Sequence, residues 1–433
     1  MTRDTSLRER PTIVHVARPT RQEIRWRAQR RRIYRRRRIL TGIAMTFFVA
    51  LVWLAFSVGG ALFNPALGSS AGSRLAEWAR THGGSGIVNW VENEWYSHHA
   101  PPIGGTVPKG EIRVPSSATV KFNSSVPHLS PPAPIVPFAS PAIPGEGQWS
   151  PVGRRVNGVP AVYETTLRPD KTHTSYVVGV AWMDTKLLHA NLYSGSWIPG
   201  GGPYPRTAPV LPSAARTLVA AFNAGFLMNN ANGGYFTNGK EELPLRTGAA
   251  SFVTYKDGTS NIISWSTGTK VPSDVASVRQ NLDLLVQNGH QASGLSANDT
   301  SKWGATLGNA VYVWRSGLGI TADGALVYVA GPGLNITDLA NLLVRAGAVR
   351  AMELDINTDW VNFATYSPSS PTGLASPANG SLLLSEMTGT TGRYFASWWT
   401  RDFITMSASP SSATNTSTTS TSTTVTSPTS AGN

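Results

Sequence analysis

The 433-residue sequence contains no cysteine, and this absence excludes disulfide bonds, thiolate metal sites and cysteine nucleophiles. Its eight histidines are scattered, with His98 and His99 as the one adjacent pair, and no His-Glu-x-x-His pattern occurs. The sequence lacks the Gly-x-x-x-x-Gly-Lys-Ser/Thr loop that holds phosphates. A Gly-x-Ser-x-Gly match occurs once, at residues 68–72, but no β-strand pattern precedes it, as the nucleophile turn of serine hydrolases requires. Histidine-rich zinc sites, Ser-His-Asp catalysis and P-loop chemistry are therefore not indicated.

Most of the chain has little net charge, although the formal net charge of the whole is +13. Residues 1–38 hold 14 arginines against three acidic side chains, a net of +11, which leaves +2 for residues 39–433. Proteins that bind nucleic acid usually carry a basic patch on the folded domain. We therefore expect no nucleic-acid partner, and the arginines near the N-terminus need another explanation.

A long apolar run supplies that explanation. Residues 39–63 read ILTGIAMTFFVALVWLAFSVGGALF and contain no charged side chain, and about 20 helical residues are enough to span a bilayer. Because arginine is retained on the cytoplasmic side, the arginine-rich segment before the run predicts a cytoplasmic N-terminus and an extracytoplasmic C-terminal region. We interpret residues 39–63 as a single-pass cell-membrane anchor that contacts the lipid bilayer. The rival interpretations are a cleaved signal peptide, whose apolar core is usually shorter, and a twin-arginine signal at Arg37 and Arg38.

Composition divides the chain into further segments. Residues 100–150 hold 11 of the 30 prolines and are typical of an extended spacer, and residues 408–433 are almost wholly Ser, Thr, Pro, Ala and Asn, which predicts disorder. We expect, in order, a basic cytoplasmic tail (1–38), a transmembrane helix (39–63), a juxtamembrane helical segment (64–99), a Pro-rich spacer (100–150), a folded domain (151–407) and a disordered tail (408–433).

The pattern of the folded domain predicts a mixed α+β fold with a mainly antiparallel sheet and few helices. Short β-rich runs are bounded by turn residues, and Asp257-Gly258 suits a hairpin between residues 250–255 and 262–265. The clearest helix begins near Thr337, which we take as its cap, and ends before Gly347. A strand over residues 349–354 follows at once.

That strand delivers two acidic residues, Glu353 and Asp355, at a spacing of two. Side chains two apart on a strand point to the same face, so a nearby cation or a raised pKa is expected. The plain alternative is an acid pair on a solvated strand end. Asp355, Asn357 and Asp359 also match the first positions of a calcium loop, but the later glycine and glutamate positions do not match. We predict no metal site of that kind and no cofactor, and leave a divalent cation open.

Two further clusters combine polar and small residues. Asn223 and Gly225 lie in an Asn-Ala-Gly-Phe segment, where an amide suits sugar hydroxyls and a glycine lets a ligand approach the backbone. Arg315, followed by Ser-Gly-Leu-Gly, and Arg246, followed by Thr-Gly, are arginines that can grip a phosphate with paired hydrogen bonds. The plain alternatives are a tight core junction for the first cluster and surface ion pairs for the arginines.

In this order, the clusters resemble the phosphodiester glycosidase family over roughly residues 160–406. Members of the family show Asn-Gly-Gly-Phe-Phe, then Arg-Thr-Ala-Ile-Gly-x-x-x-Asp-Gly, a helix, and Leu-Asp-Gly-Gly-Gly-Ser. The counterparts here are NAGF at residues 223–226, RSGLGITADG at 315–324, the helix near 337–346 and ELD at 353–355. The sequence departs from the family after Asp355, where Ile-Asn-Thr-Asp replaces the glycines.

The resemblance implies hydrolysis of the C1–O bond of a sugar-1-phosphodiester, here in glycans of the cell envelope. It implies Asp355 as the central carboxylate, Glu353 as its partner, Asn223 and Gly225 as substrate contacts, and Arg315 and Arg246 as cationic support for the leaving phosphate. A rival hypothesis is a non-catalytic module that binds a glycan or glycan phosphate. A third is a membrane-tethered structural protein.

Overall fold

The computed structural model describes residues 20–64, 67–68, 70–84, 86–88, 90–91, 101–115, 125–266, 270–296, 302–304 and 312–410. Half of the basic tail (1–19), the pair His98-His99 and most of the Ser/Thr-rich tail (411–433) lie outside these residues. The chain divides into two compact units, Met1–Asn64 and Pro65–Asn433, which are described separately.

The first unit consists of helix α1 (Arg21–Leu62), whose portion Ile24–Leu62 is long and apolar enough to cross a membrane. Apolar side chains such as Phe47 and Phe48 are exposed along this helix. An apolar helix without protein cover is suited to a lipid environment. A signal sequence near an N-terminus meets the same criterion of length and composition, so the helix alone does not establish an anchor.

The second unit begins with helix α2 (Ala71–Thr81), within the segment predicted to be helical. Its N-terminus carries a capping box, in which Ser70 accepts from the backbone N–H of Ser73 and the Ser73 hydroxyl oxygen accepts from the N–H of Ser70. The turn that follows contains Gly83 and Gly84, as predicted, and residues 86–88 and 90–91 are again helical.

In the described part of the second unit, antiparallel strands form three sheets. The first, in spatial order, contains β1 (Ser150–Val156), β2 (Val159–Leu167), β3 (Val178–Met183), β14 (Leu326–Leu334), β13 (Val313–Thr321), β15 (Ala348–Glu353), β11 (Leu284–Gln287) and β12 (His290–Gln291). The second contains β7 (Lys240–Leu243), β6 (Tyr235–Thr237), β10 (Val275–Gln280), β8 (Ala250–Tyr255) and β9 (Ser260–Ser264). The third contains β17 (Gly380–Leu382), β16 (Phe363–Tyr366), β5 (Leu218–Asn223), β18 (Phe403–Ala408) and β4 (Leu188–Tyr193).

Helices are few in this unit. A short helix, α3 (Pro212–Ala215), precedes β5, and α4 (Ile336–Arg345) connects β14 to β15. Two single-turn 3-10 helices, Pro377–Asn379 and Arg393–Phe395, lie near the C-terminal end. The prediction of a mixed α+β, mainly antiparallel fold is therefore confirmed. The predicted β8–β9 hairpin at Asp257-Gly258 is also present.

The cap of helix α4 lies two residues earlier than the sequence suggested. This cap is Asn335, whose side-chain oxygen accepts from the N–H of Asp338, and Thr337 lies inside the first turn. The prediction of Thr337 as cap was wrong because both residues are good cap formers, and the side chain of Asn335 is the one that reaches a free N–H. The apolar face of α4 packs on the first sheet with Leu339 and Leu343 fully buried.

Arg315 and the glycines that follow it are part of a strand. Arg315 lies near the start of β13, and the glycines after it lie inside the strand. A Cβ on Gly317 would lie 2.9 Å from Leu343 of α4, and a Cβ on Gly319 would lie 2.6 Å from the Cβ of Ala348. Gly317 thus permits close packing of α4 on the sheet, and Gly319 permits close contact with Ala348 of β15, which explains both glycines without a ligand.

The Pro-rich segment contacts the sheet over its described part. The N–H of Gly147 donates to the carbonyl of Thr166 on β2 (3.1 Å), and Ile135 is buried in the cluster beneath α4. Glu146 forms a buried ion pair with Arg168 at 2.8 Å. Residues 125–149 therefore form part of the packed structure that includes β2.

Candidate active site

The two acidic residues lie where β15 leaves the first sheet. Pairing with β13 continues past Glu353, because the N–H of Leu354 donates to the carbonyl of Ser316 and the N–H of Ser316 donates to the carbonyl of Asp355, each at 2.8 Å. Glu353 is fully buried and Asp355 is 2% exposed. The sequence expectation of a solvated acid pair, the plain alternative, does not apply.

Glu353 is paired on one oxygen only. Its Oε1 accepts from Nη1 of Arg315 at 2.6 Å, while Oε2 is buried and has no hydrogen-bond partner among the described residues. Burial raises the pKa of Glu353 to about 7, against the opposing charge and hydrogen bond of Arg315, and the Asp355 charge raises it further. The sequence predicted a nearby cation or a raised pKa, and both are present.

Asp355 is held by the backbone that follows it. Its Oδ1 accepts from the N–H groups of Ile356 (2.8 Å) and Asn357 (3.0 Å), so the other oxygen is free of protein hydrogen bonds in the described structure. Burial raises its pKa to about 6, while the charge of Arg401 and the two backbone hydrogen bonds lower it. Asp355 is therefore mostly ionised at neutral pH but gains a proton readily.

Asn223, at the end of β5, joins the acidic segment through Ser316. Its Nδ2 donates to the Ser316 hydroxyl oxygen (3.1 Å), and that hydroxyl donates to the carbonyl of Asp355 (3.0 Å). Its Oδ1 accepts from the hydroxyl of Tyr328 (2.8 Å). The structure thus brings Asn223, Arg315, Glu353 and Asp355 together from three strands.

The backbone at Gly225 faces protein side chains and not an open cavity. A Cβ at this position would lie 3.0 Å from Oδ1 of Asn281 and 3.1 Å from Cζ of Arg279. The sequence interpretation placed a ligand there. The observed neighbours make Gly225 a point of close contact within the site wall.

Arg246 lies apart from the other candidates. Its Nη2 donates to Asp283 at 2.7 Å and to the carbonyl of Leu282 at 2.9 Å, and its side chain is 32% exposed. Among the residues that the structure describes, it has no contact with Asp355 or Glu353. The structure does not bring it to the acidic segment.

Asn281 is a site residue that the sequence interpretation missed. Its Nδ2 donates to the carbonyls of Glu353 (2.8 Å) and Leu354 (3.0 Å), and its Oδ1 accepts from the N–H of Phe226 (3.1 Å). It therefore ties the Asn223 segment to the acidic segment. The available signal was a run of three polar residues, Arg-Gln-Asn at 279–281, at the end of β10.

Two buried arginines were also missed. Arg279 forms an ion pair with Asp402 at 2.6 Å, and both side chains are inaccessible to solvent. Arg401 lies beside this pair, with its guanidinium carbon 4.2 Å from the ring centre of Trp360. The signal for Arg401 was its place after two tryptophans and a threonine, in a domain where basic residues are sparse.

Within the described ranges, no group of three or more histidine, aspartate or glutamate side chains is arranged to hold a metal ion. The chemistry that this site offers rests on buried carboxylates of raised pKa, guanidinium groups and amides. Such perturbed carboxylates are typical of acid–base and glycosyl-transfer sites.

Comparison with known proteins agrees with this chemistry. The model of the phosphodiester glycosidase family matches residues 216–355, a segment that runs from the start of β5 to Asp355. The resemblance found in the sequence motifs is confirmed, and the chain carries a phosphodiester glycosidase-like domain. The matched segment contains all six candidate residues and excludes Arg401. No curated protein sequence matches the chain.

Three solved structures are similar at low identity. The catalytic domain of zebrafish N-acetylglucosamine-1-phosphodiester alpha-N-acetylglucosaminidase, auto-inhibited by its pro-peptide, is 14% identical over 61% of this chain and 88% of that chain, with a TM-score of 0.35. A hypothetical protein from Synechocystis is 12% identical over 60% of this chain and 64% of that chain, with a TM-score of 0.30. A putative exported protein from Burkholderia pseudomallei is 13% identical over 55% of this chain and 75% of that chain, with a TM-score of 0.27.

Proposed function

We propose that the chain is a membrane-anchored extracytoplasmic hydrolase that cleaves the C1–O bond of a sugar-1-phosphodiester in envelope glycans. The observation that carries this proposal is the convergence of Asn223, Glu353 and Asp355 on one buried segment, linked through Ser316. The family match over residues 216–355 supports the reaction class. The apolar helix α1 and the arginines before it support the anchor and its orientation.

In the proposed reaction Asp355 is the central carboxylate. Cleavage of a glycosidic C1–O bond passes through an oxocarbenium-like transition state, which a carboxylate stabilises or attacks. The two backbone N–H groups fix Oδ1 of Asp355, and the other oxygen is directed to the sugar. Water supplies the new hydroxyl at C1, so the products are a free sugar and a phosphomonoester.

Glu353 and Asn223 orient Asp355 and the sugar. Glu353 is positioned by its contact with Arg315, and its pKa of about 7 lets its unpaired oxygen exchange a proton near neutral pH. One amide hydrogen of Asn223 is used by Ser316, and the second is available for a sugar hydroxyl. Because the leaving phosphate is a weak base, the reaction needs little general-acid assistance.

A non-catalytic glycan-binding module is the second candidate, and the segment after Asp355 favours it. Ile356 stands where the family has glycine, and it packs against Phe226 and Leu282. A bulky side chain there narrows the approach of a substrate to the backbone. Such a module would bind an envelope glycan and release no sugar.

The test uses the full-length chain in detergent, supplied with methyl diesters of several hexose 1-phosphates, with and without added divalent cations. We expect release of free sugar by the wild type and none by Asp355→Asn. Saturable binding without sugar release by the wild type would replace the hydrolase with the binding module. Absence of both would leave the structural-protein hypothesis.

A further inference from the structure

Arg401 has a position in the fold that brings it to the acidic segment. It precedes β18, whose first residue Phe403 is paired with Asn223 of β5. The N–H of Ala224 donates to the carbonyl of Asp402 at 3.4 Å. Strand pairing therefore holds Arg401 beside the end of β5, although it lies far from Asp355 in the sequence and outside the family match.

The guanidinium of Arg401 is buried and makes no hydrogen bond to any residue that the structure describes. Arg401 is 7% exposed, and its Nη1 is buried without a partner. Two other buried arginines near Asp355 differ, since Arg279 and Arg315 each pair with a carboxylate at 2.6 Å. A third, Arg393, donates to the carbonyl of Trp360. A buried guanidinium without hydrogen bonds is costly, so a ligand is the natural source of acceptors.

Two further polar side chains close in sequence to Arg401 or to Trp360 also lack hydrogen-bond partners among the described residues. Nε1 of Trp399 and the side-chain amide of Asn362 are buried and have no hydrogen-bond partner in the described ranges. The rings of Trp360 and Trp399 are 5.6 Å apart, and Arg393 lies 4.5 Å over the ring of Trp399. Several donors that lack acceptors indicate a ligand rich in oxygen.

Three carboxylates and one guanidinium exert their charge on Arg401. Asp355, Glu77 of α2 and Asp402 face it with negative charge, and Arg279 faces it with positive charge. Asp402 is already paired with Arg279, and Glu77 lies 3.3 Å from Arg80. Oδ1 of Asp402 has no hydrogen-bond partner in the described structure. Asp355 is in no ion pair among the described residues, and no hydrogen bond joins it to Arg401.

We propose that Arg401, fixed over Trp360, binds the phosphate of the substrate beside Asp355. The inference rests on the proposed function and assigns the phosphate contact to a residue outside the Arg315 and Arg246 motifs. A guanidinium binds two phosphate oxygens at once, and its charge stabilises the phosphate as the C1–O bond breaks. Asp355 then acts on C1 at the adjacent position.

The first experiment measures binding without relying on turnover. Thermal unfolding of the full-length chain is followed in inorganic phosphate and in chloride of equal ionic strength. We expect phosphate to raise the melting temperature of the wild type and of Arg154→Gln, and not that of Arg401→Gln. Arg154 is a matched control because it is 8% exposed and donates to backbone carbonyls such as that of Gly373 (2.8 Å).

Arg401→Lys keeps the charge and guards against misfolding of the glutamine variant. We expect it to retain part of the phosphate-dependent shift, because a lysine supplies charge without the paired hydrogen bonds. Absence of a shift in the wild type, or an undiminished shift in both Arg401 variants, would overturn the proposal.

The second experiment compares two substrates of the same sugar, a hexose-1-phosphate methyl diester and a 4-nitrophenyl glycoside. Arg401→Gln should lower kcat/KM for the diester about 100-fold and for the uncharged glycoside less than about threefold. Equal losses on both substrates would overturn the phosphate role. If the wild type cleaves neither substrate but phosphate protection still requires Arg401, the proposed hydrolase fails and the anion site stands.

Discussion

Two buried Arg–Glu pairs in this protein shift the pKa of their glutamates in opposite directions. Glu146 accepts from the backbone N–H groups of Ile143 and Arg168 and from the Arg168 side chain, so both of its oxygens are used. Glu353 is bonded on one oxygen to Arg315, and the other oxygen is unpaired in the described structure. The pKa of Glu146 is lowered by its hydrogen bonds with Arg168 despite the opposing effect of burial, whereas burial raises that of Glu353.

The difference shows how a structural ion pair is separated from a candidate functional one. Burial penalises both carboxylates, and hydrogen bonds decide the outcome. The pair around Glu146 satisfies every acceptor and fastens the Pro-rich segment to β2. The pair around Glu353 leaves an acceptor open next to Asp355, which is the arrangement expected where a ligand or a proton is to be received.

The largest expected effect tests whether Asp355, next to the Glu353–Arg315 pair, is catalytic. Asp355→Asn should reduce turnover of sugar-1-phosphodiesters by about 10²–10⁴-fold, because the amide cannot stabilise or attack an oxocarbenium ion. The amide oxygen still accepts from Ile356 and Asn357, so thermal stability should change little. Steady-state kinetics and thermal unfolding of the same preparation check both statements, and unchanged turnover removes Asp355 from the mechanism.

Stability at pH 6 separates the two pairs directly. Glu146→Gln should cost about 3–5 kcal/mol, because it removes the partner of a buried charge. Glu353→Gln should cost less than about 1 kcal/mol at this pH, because Glu353 is then mostly protonated and an amide resembles a neutral acid. Urea unfolding followed by tryptophan fluorescence gives the comparison, and equal losses would make the Glu353 pair structural too.

The pH dependence of the two contributions should have opposite signs. The folded pKa of Glu353 lies above its ordinary 4.5, so the folded chain binds more protons than the unfolded chain between about 4.5 and about 7, and the stability contribution falls as pH rises through that range. The folded pKa of Glu146 lies below 4.5, so its contribution is present above 4.5 and is lost as pH falls below it. Unfolding of the wild type and both glutamine variants from about pH 2.5 to about pH 8 covers both windows and measures the two slopes.

Activity should depend on the ionisation of Asp355. We expect kcat/KM to rise with pH through an apparent pKa of about 6, and Arg401→Gln to shift this limb upward, since the Arg401 charge favours the ionised form. Because Asp355 and Glu353 influence each other, the observed limb belongs to the pair. A limb at the same pH in both proteins would show that Arg401 does not act on Asp355.

The smallest expected effect concerns the exposed pair of Arg246 and Asp283. A solvent-exposed ion pair contributes about 0–1 kcal/mol, so Arg246→Gln should change stability by no more than that. Its distance from the acidic segment predicts a change in kcat/KM of less than about twofold. Kinetics and urea unfolding test both, and a large loss of activity would return Arg246 to the site.

The sequence predicts this fold best where local chemistry decides the structure. The Asp257-Gly258 hairpin and helix α4 depend on turn residues and on periodic leucines, and both are found where expected. Gly317 and Gly319 of β13 were harder to interpret, because the side chains that lie against them, Leu343 of α4 and Ala348 of β15, belong to other elements. Local pattern cannot reveal a neighbour contributed by another element.

The same limit applies to the candidate site. Glu353 and Asp355 were recognisable because two acids at the end of an apolar strand are unusual. Asn281 and Arg401 were not, because their importance arises from contacts with segments distant in the sequence. Residues that gain their role by tertiary contact need the fold before they can be identified.

The Glu146–Arg168 pair sets a practical boundary for anyone who expresses the domain. A chain that begins at residue 150 lacks Glu146, so the buried Arg168 would have no carboxylate partner. The folding unit should therefore start upstream of residue 125, and soluble fragments that begin later are expected to aggregate. Removal of the Pro-rich segment, which composition marks as a spacer, is therefore expected to destabilise the folded domain.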